Sequence, residues 1–461
     1  MPGAASVVCG GGVAVAFPRA ASLRVVSGDT GLASRLMRAV YGDWAGAGAG
    51  DDGRVTYSPA PLPRGEAAEG GRYLWTDAFG VLNFVTAAAR CGEAGDARGR
   101  DAALGAALGL VAAVHGTLGQ PRPRGSSAGG GLPRDGAFPM APSSRPPFAL
   151  GGQSVRRRYK GLRIGKPRAA AESDPGMELD GQYWHYHDKW LFALARLAAE
   201  VGPGTATGGA LAREAVSLVK DTHPLWVERS AATGEPLGVR WKVNMDCTPI
   251  RGMFPTHPTS DALSGLVAYA AVAAVAGPAG DSVREDIDGE CRDMARIARA
   301  LTPTVSFDSL GWGLEAWVAQ WLPRRPHQGD ASQAAEAGGA AAAAAARRYA
   351  AHAENVLSQS AFDNACDPRE RRALPFRVYG AWLGARLSGH STLVNTAAEL
   401  AREAATEELH VIDHFHSTPA FLDSALEPHT LVSINRVMLA AALDPLAFSR
   451  RAEENTITRS M

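Results

Sequence analysis

The sequence predicts an all-α fold, an (α/α)6 toroid in which six inner helices are ringed by six outer ones. Three observations predict it. Apolar residues make up 46% of the chain and many are alanine, which suits close helix–helix contact. Six segments repeat one pattern, a loop bearing aromatic, charged or proline residues followed by an apolar helix with few charges. Between them lie segments with a charged side, as outer helices require.

The inner segments come in chain order. Tyr73-Leu74-Trp75-Thr76-Asp77 leads into Ala78–Ala89, and the run from Gln182 to Trp190 leads into Leu191–Ala199. Pro255 to Asp261 precedes Ala262–Ala276, and Phe307 to Trp312 precedes Gly313–Trp321. Leu374-Pro375-Phe376-Arg377 opens Val378–Leu387, and Glu427-Pro428-His429 opens Thr430–Leu443. The outer segments are Thr30–Trp44, Arg100–Leu118, Gly209–Val227, Ser282–Leu301, Ala340–Leu357 and Ser391–Val411. In Ser282–Leu301, Val283, Ile287, Met294 and Ile297 recur at near-helical spacing while Arg284, Glu285 and Arg292 point elsewhere. Each hairpin cannot bury its inner helix alone, and a closed ring of six can.

This reading makes residues 29–450 one domain within the chain of 461 residues, long enough for a large core. Two insertions interrupt it, the Pro-, Gly- and Ser-rich stretch near 119–152 and another near 323–339. Residues 1–28 form an extension without acidic residues, a composition shared by transit peptides and by non-targeting arms, and 451–461 form a tail. Almost no period-2 pattern suggests strands, beyond short ones in loops.

Charge and cysteines bound the function. With 47 basic and 47 acidic residues the formal net charge is zero, which argues against a nucleic-acid groove. No uninterrupted apolar run reaches about 18 residues, so no membrane partner is expected. Five scattered cysteines without a CxxC pair suit a reducing compartment, giving an intracellular expectation, cytoplasmic or organellar. The basic run from Arg156 through Arg168 reads as a solvated loop or as a strap over a polar or anionic ligand.

In a toroid the N-terminal ends of the inner helices converge on one mouth, where helix-dipole positive charge collects. The candidate site is therefore drawn from the loops before those helices. Trp75, Tyr183, Trp184, Trp241 and Trp312 offer flat apolar surfaces of the kind sugars stack on. Lys189, Lys242, Arg251 and His185 are candidates to bind hydroxyl or acid groups. Asp77, Asp180, Asp188, Asp246, Asp261, Glu315 and Glu427 lie near the same mouth, and glycoside hydrolysis needs two carboxyls. Asp77 and Asp246 lead that group as catalysts; Asp261 resembles a helix cap, and Asp77, after Trp-Thr, reads as either cap or catalyst. His185, His257 and His429 open three inner segments and would serve an epimerase that moves a proton at a carbon next to a carbonyl. His410 and His414 are one helical turn apart, but no third ligand stands at a diagnostic spacing, so no metal is expected. Neither a P-loop nor a dinucleotide fingerprint is present, and no cofactor is expected.

The stretches Leu162-Arg163-Ile164-Gly165-Lys166-Pro167, Asp180 to Trp190, and Tyr73 to Gly80 resemble a subgroup of the six-hairpin glycosidase-like superfamily. With the six-fold helix pattern, the resemblance spans roughly residues 28–448. It implies the toroid fold and a carbohydrate or other polyhydroxylated small molecule as partner. Activities in that superfamily include glycosidases and sugar epimerases, and some members have no known reaction. A non-catalytic toroid that binds glycan or protein is thus the third expectation. The histidine motifs of N-acylglucosamine 2-epimerases are not clearly reproduced around His257 or His429, and the zinc-binding pattern of lanthionine cyclases is missing. Oligomeric state is left open.

Overall fold

The computed structural model describes residues 30–48, 56–63, 66–67, 70–120, 143, 147–150, 153–155, 157–166, 168–169, 179–244, 247, 249, 259–276, 286–300, 304–322, 347–366, 374–417 and 432–449. The chain is mostly helical. Its helices are α1 (Thr30–Tyr41), α2 (Leu74–Glu93), α3 (Ala97–Leu118), α4 (Trp184–Val201), α5 (Ala206–Trp226), α6 (Thr259–Ala276) and α7 (Asp288–Ala300). They continue with α8 (Ser309–Ala319), α9 (347–356), α10 (Gln359–Ala365), α11 (Pro375–Ser388), α12 (Ser391–Ser417) and α13 (Val432–Leu443).

The six predicted inner segments are α2, α4, α6, α8, α11 and α13. Each packs on the next in that order, and α13 packs on α2. The charged-sided helices flank them: α1 lies on α13, α3 on α2, α5 on α4 and α6, α7 on α6, and α12 on α11. Burial follows this division. α13 is buried from Ser433 to Leu443 without a break. α7 instead buries one stripe, Cys291, Met294, Ala295, Ile297 and Ala298. α3 has the length and apolarity of a membrane-crossing helix, yet 61% of that stretch is buried in the fold.

Small residues set how closely two inner helices approach. A side chain on Gly313 of α8 would meet the Gly380 carbonyl of α11 at 2.0 Å, and one on Gly384 would meet the Gly313 carbonyl at 2.2 Å. Capping fixes several starts. Asp96 accepts from Gly99 N–H at 2.9 Å, Thr205 from Gly208 at 3.0 Å, and Asp308 from Gly311 at 2.9 Å. Pro375 opens α11, and Gly389 closes it with φ +73°.

A short 3-10 turn, Leu446–Phe448, follows α13 and packs against α2 and α8. The Phe448 ring lies 5.3 Å from Phe79. Its carbonyl accepts from Trp317 Nε1 at 3.0 Å, and Ala447 N–H donates to Thr86 at 3.1 Å.

Eight short strands form four two-stranded pairs among the described residues. β1 (Phe148–Leu150) pairs with β2 (Gln153–Val155), β3 (Arg168–Ala169) with β4 (Leu179–Asp180), and β6 (Val227–Arg229) with β7 (Pro236–Val239). β5 (Gln182–Tyr183) runs antiparallel to β8 (Lys242–Val243) and sets Tyr183 opposite Lys242.

Two expectations need correction. α2 begins about one turn and α4 about two turns earlier than predicted, so residues 74–77 and 184–190 are helix and not loop. Their aromatic and polar side chains find partners on neighbouring helices, which outweighs modest helix propensity. The basic run is not simply solvated either. Arg157 is buried and donates to Glu214 at 3.0 Å and Asp221 at 2.9 Å on α5. Arg163, also buried, pairs with Asp180 at 3.1 Å. Residues 1–28, the insertion at 323–339 and the tail at 451–461 lie outside the described residues.

Candidate functional site

The N-terminal ends of the six inner helices adjoin one another. Tyr73, just before α2, shares a short hydroxyl–hydroxyl hydrogen bond with Tyr186 of α4. Lys189 of α4 reaches Ser264 of α6 at 2.8 Å. Glu315 of α8 feels the charge of Asp261 of α6. Arg377 of α11 stands 4.0 Å from Asp308 before α8. Phe376 N–H of α11 donates to Asn435 of α13 at 3.0 Å. Ser433 of α13 donates to Glu66, ahead of α2, at 3.0 Å. Side chains from distant parts of the sequence are thereby gathered at one end.

Three carboxyls there come from three successive inner helices. Asp188 is buried; one of its oxygens takes Lys189 Nζ at 2.9 Å and a short hydrogen bond from the Ser264 hydroxyl. Its Oδ1 has no hydrogen-bond partner among the described residues. Loss of hydration raises the Asp188 carboxyl, against the pull of Lys189. Asp261 is partly exposed as a residue, but its carboxyl is densely surrounded. Desolvation and then the Asp188 charge push it up to about 7. Glu315 is pushed up to about 8, chiefly by burial, although Ser306 N–H donates to it at 3.0 Å. Lys189 also lies 4.8 Å over the Trp317 ring.

An aromatic group gathers at the starts of α2 and α4. Trp75 stacks on Phe79 at 5.1 Å and meets His185 and Tyr186 edge-on at 5.9 and 5.3 Å. Tyr183 meets Trp241 at 5.5 Å, and Lys242 Nζ lies 4.9 Å over the Tyr183 ring. Tyr73, His185, Tyr186 and Trp241 keep partial exposure. Trp75 and Tyr183 are each 3% exposed and form the floor beneath them.

Other predicted site residues stand apart. Trp184 is fully buried and donates its indole N–H to the Asp261 carbonyl at 2.9 Å. Trp312 is fully buried against Phe362 and donates to the Val356 carbonyl at 2.7 Å. Neither presents a face to a ligand. Asp77 is also fully buried: it accepts from Tyr73 N–H and Tyr41 OH, both at 3.2 Å, and lies 3.4 Å from Arg72. That arrangement anchors the first turn of α2. Asp246, Arg251, His257 and His429 lie outside the described residues. His410 and His414 fall on α12. No group of three or more potential metal ligands is found among the described residues.

Ser264 was missed by sequence reasoning, because nothing in Asp261-Ala-Leu-Ser264-Gly marks it until α6 faces Lys189. Tyr73 and Tyr186 were missed as a pair for the same reason, being 113 positions apart.

The raised carboxyls give a pH prediction. Asp261 and Glu315 bind protons more tightly folded than unfolded, where values near 3.8 and 4.5 apply. Stability should be full below about pH 4 as far as these groups matter, and fall as pH rises towards 7 and 8. Urea midpoints should decline from pH 5 to pH 8, and Glu315→Gln should flatten the decline. An unchanged slope in that variant contradicts the assignment.

Compared with known proteins, the chain matches no family model, no curated protein and no solved structure.

Proposed function

We propose that the chain is an (α/α)6 toroid and a carbohydrate-active enzyme of glycoside-hydrolase type, working at the end where the inner helices begin. The toroid reading is supported by the closed succession of helix contacts from α2 round to α13. The observation that carries the activity is the trio Asp188, Asp261 and Glu315. It sets carboxyls on three adjoining helices, two of them holding protons near neutral pH. The partly exposed Tyr73, Tyr186 and Trp241 offer the stacking surface that a polyhydroxylated ring needs.

Glycosidic cleavage requires one carboxyl to give a proton to the departing oxygen and a second to assist attack on the anomeric carbon. Glu315, retaining its proton to about pH 8, fits the first role. Asp261, titrating near 7, fits the second. Asp188 is a positioning residue: its charge, held by Lys189 and Ser264, sets how readily Asp261 ionises. Asp77 serves the fold in this reading.

The test is proton NMR in heavy water with a pooled panel of oligosaccharides and free sugars. New anomeric signals are the expected result, lost in Glu315→Gln and in Asp261→Asn while the helical circular dichroism is kept. Typical losses on removing a general acid or base are about 10²–10⁴-fold. Deuterium entering next to a carbonyl without bond cleavage would replace hydrolysis by epimerisation, and full turnover in both variants would sink the residue roles.

A further inference from the structure

The end where the inner helices begin carries one more aromatic ring, just ahead of α8. Phe307 is 86% exposed, and the next most exposed large apolar side chain among the described residues, Leu237, reaches 47%. A single exposed phenylalanine needs no explanation by itself. The backbone that carries this one sets it apart. Ser306 N–H donates to Glu315 Oε2 at 3.0 Å, and the Ser306 hydroxyl donates to Asp308 Oδ2 at 3.1 Å. Asp308 caps α8 through Gly311 N–H at 2.9 Å, and Arg377 of α11 stands 4.0 Å from the same carboxyl. The residues on both sides of Phe307 are thus tied to α8. The ring is held in water, where its apolar area costs free energy until something covers it.

Phe307 also stands beside the carboxyl assigned as the acid. Through the Ser306–Glu315 hydrogen bond, standard bond lengths keep the ring centre within about 12 Å of Glu315 Oε2. Glu315 itself is 9% exposed. In the succession of inner helices, Asp261 of α6 and Glu315 of α8 follow the aromatic group at the starts of α2 and α4, and Phe307 lies at the α8 end of that succession. Aromatic surfaces therefore stand to both sides of the carboxyls, with Tyr73, Tyr186 and Trp241 to one side and Phe307 to the other. Glu315 gives its proton to the departing oxygen, so a ring beside it meets the departing group and not the sugar whose anomeric carbon is attacked.

We infer that the group released is itself a sugar ring, stacked by its C–H face on Phe307, so that the substrate is a di- or oligosaccharide and not the glycoside of a small alcohol. The electron-rich face of a phenyl ring attracts partly positive C–H hydrogens and makes no demand on the pattern of hydroxyls. Phe307 thereby selects for the presence of a second ring and leaves the identity of that sugar to other groups. The role rests on the glycosidase reading; Phe307 determines specificity in it and carries no proton.

Maltose, cellobiose, xylobiose and mannobiose are each compared with the methyl glycoside of the same sugar, using the full chain labelled with 4-fluorophenylalanine. The Phe307 fluorine signal is assigned as the one lost in Phe307→Leu. A disaccharide should move that signal, and its methyl glycoside should leave it in place. Phe307→Ala should lower kcat/KM on the disaccharide about three- to tenfold relative to the methyl glycoside, the range of one stacked aromatic pair. Phe307→Trp should restore the preference. At 86% exposure neither substitution removes a core contact, and unchanged thermal midpoints check this. Cleavage of a disaccharide with an unmoved signal and no loss in Phe307→Ala overturns the inference and leaves the hydrolase standing. Equal shifts with the methyl glycoside put the ring under the attacked sugar and overturn it as well. Shifts without any cleavage overturn the hydrolase reading and the released-ring role with it, keeping Phe307 only as a contact to a second ring. Neither cleavage nor shift overturns both.

Discussion

Arg72→Met is expected to destabilise the protein by about 3–5 kcal/mol, the usual cost of leaving one charge of a buried pair alone. Arg72 is 1% exposed, and Asp77, 3.4 Å away, is wholly buried. The guanidinium also donates to the Gly71 carbonyl at 2.5 Å and to that of Ala60, tying the approach segment to α2. Asp77 already titrates near 6, because burial outweighs the pull of Arg72. Without the arginine its ionised form is less favourable still. The loss should therefore be larger at pH 8 than at pH 5, where the carboxyl takes a proton at lower cost. Urea denaturation at both pH values checks this, and Asp77→Asn in the Arg72→Met background should recover part of the loss at pH 8. Equal losses at both pH values would contradict a charge-based origin.

Gly313→Val should produce a comparable effect by a different cause. The added Cβ would lie 2.0 Å from the Gly380 carbonyl, in backbone that cannot give way as a flexible side chain would. Separating α8 from α11 would cost about 3 kcal/mol or more, the upper range for overpacking. Gly289→Ala supplies the contrast. Gly289 is exposed in the first turn of α7 and its Cβ would meet nothing within 4 Å. There the change should stabilise by about 0.4–1 kcal/mol through loss of unfolded-state freedom. Thermal midpoints moving the same way in both variants would refute the packing argument.

The alternation of apolar and one-sided helices was legible because burial leaves a direct trace in composition. α13 buries every position from Ser433 to Leu443, and α7 only a stripe. Helix starts were less legible. Tyr73 to Asp77 and Tyr183 to Trp190 read as loops because aromatics and charges cluster there, yet those side chains are satisfied by neighbouring helices. Buried arginine was illegible for a similar reason: Arg157 is burdened or relieved by Glu214 and Asp221, 57 and 64 positions away. Among the carboxyls, the sequence placed Asp188, Asp261 and Glu315 near one mouth but set Asp77 and Asp246 ahead of them. Asp261 resembled a cap, and only the nearby Asp188 reveals how its proton is held. Asp77 led that group together with Asp246, because the burial imposed on it by Tyr41 and Arg72 leaves no mark at position 77 itself.

The contact of α13 with α2 has a consequence for how the chain comes to be folded. Asn83 meets Val437, and Arg90 meets Asp444, each across 354 positions. At bacterial-to-eukaryotic elongation rates of about 5–20 residues per second, the partner of α2 leaves the ribosome on the order of 20–70 s after α2 itself. Through that interval the faces of α1 and α2 that α13 will cover are open to bulk water. Completion of the native state therefore waits on the emergence of α13, and a nascent chain that still lacks it presents a sticky apolar surface that a holdase chaperone would recognise.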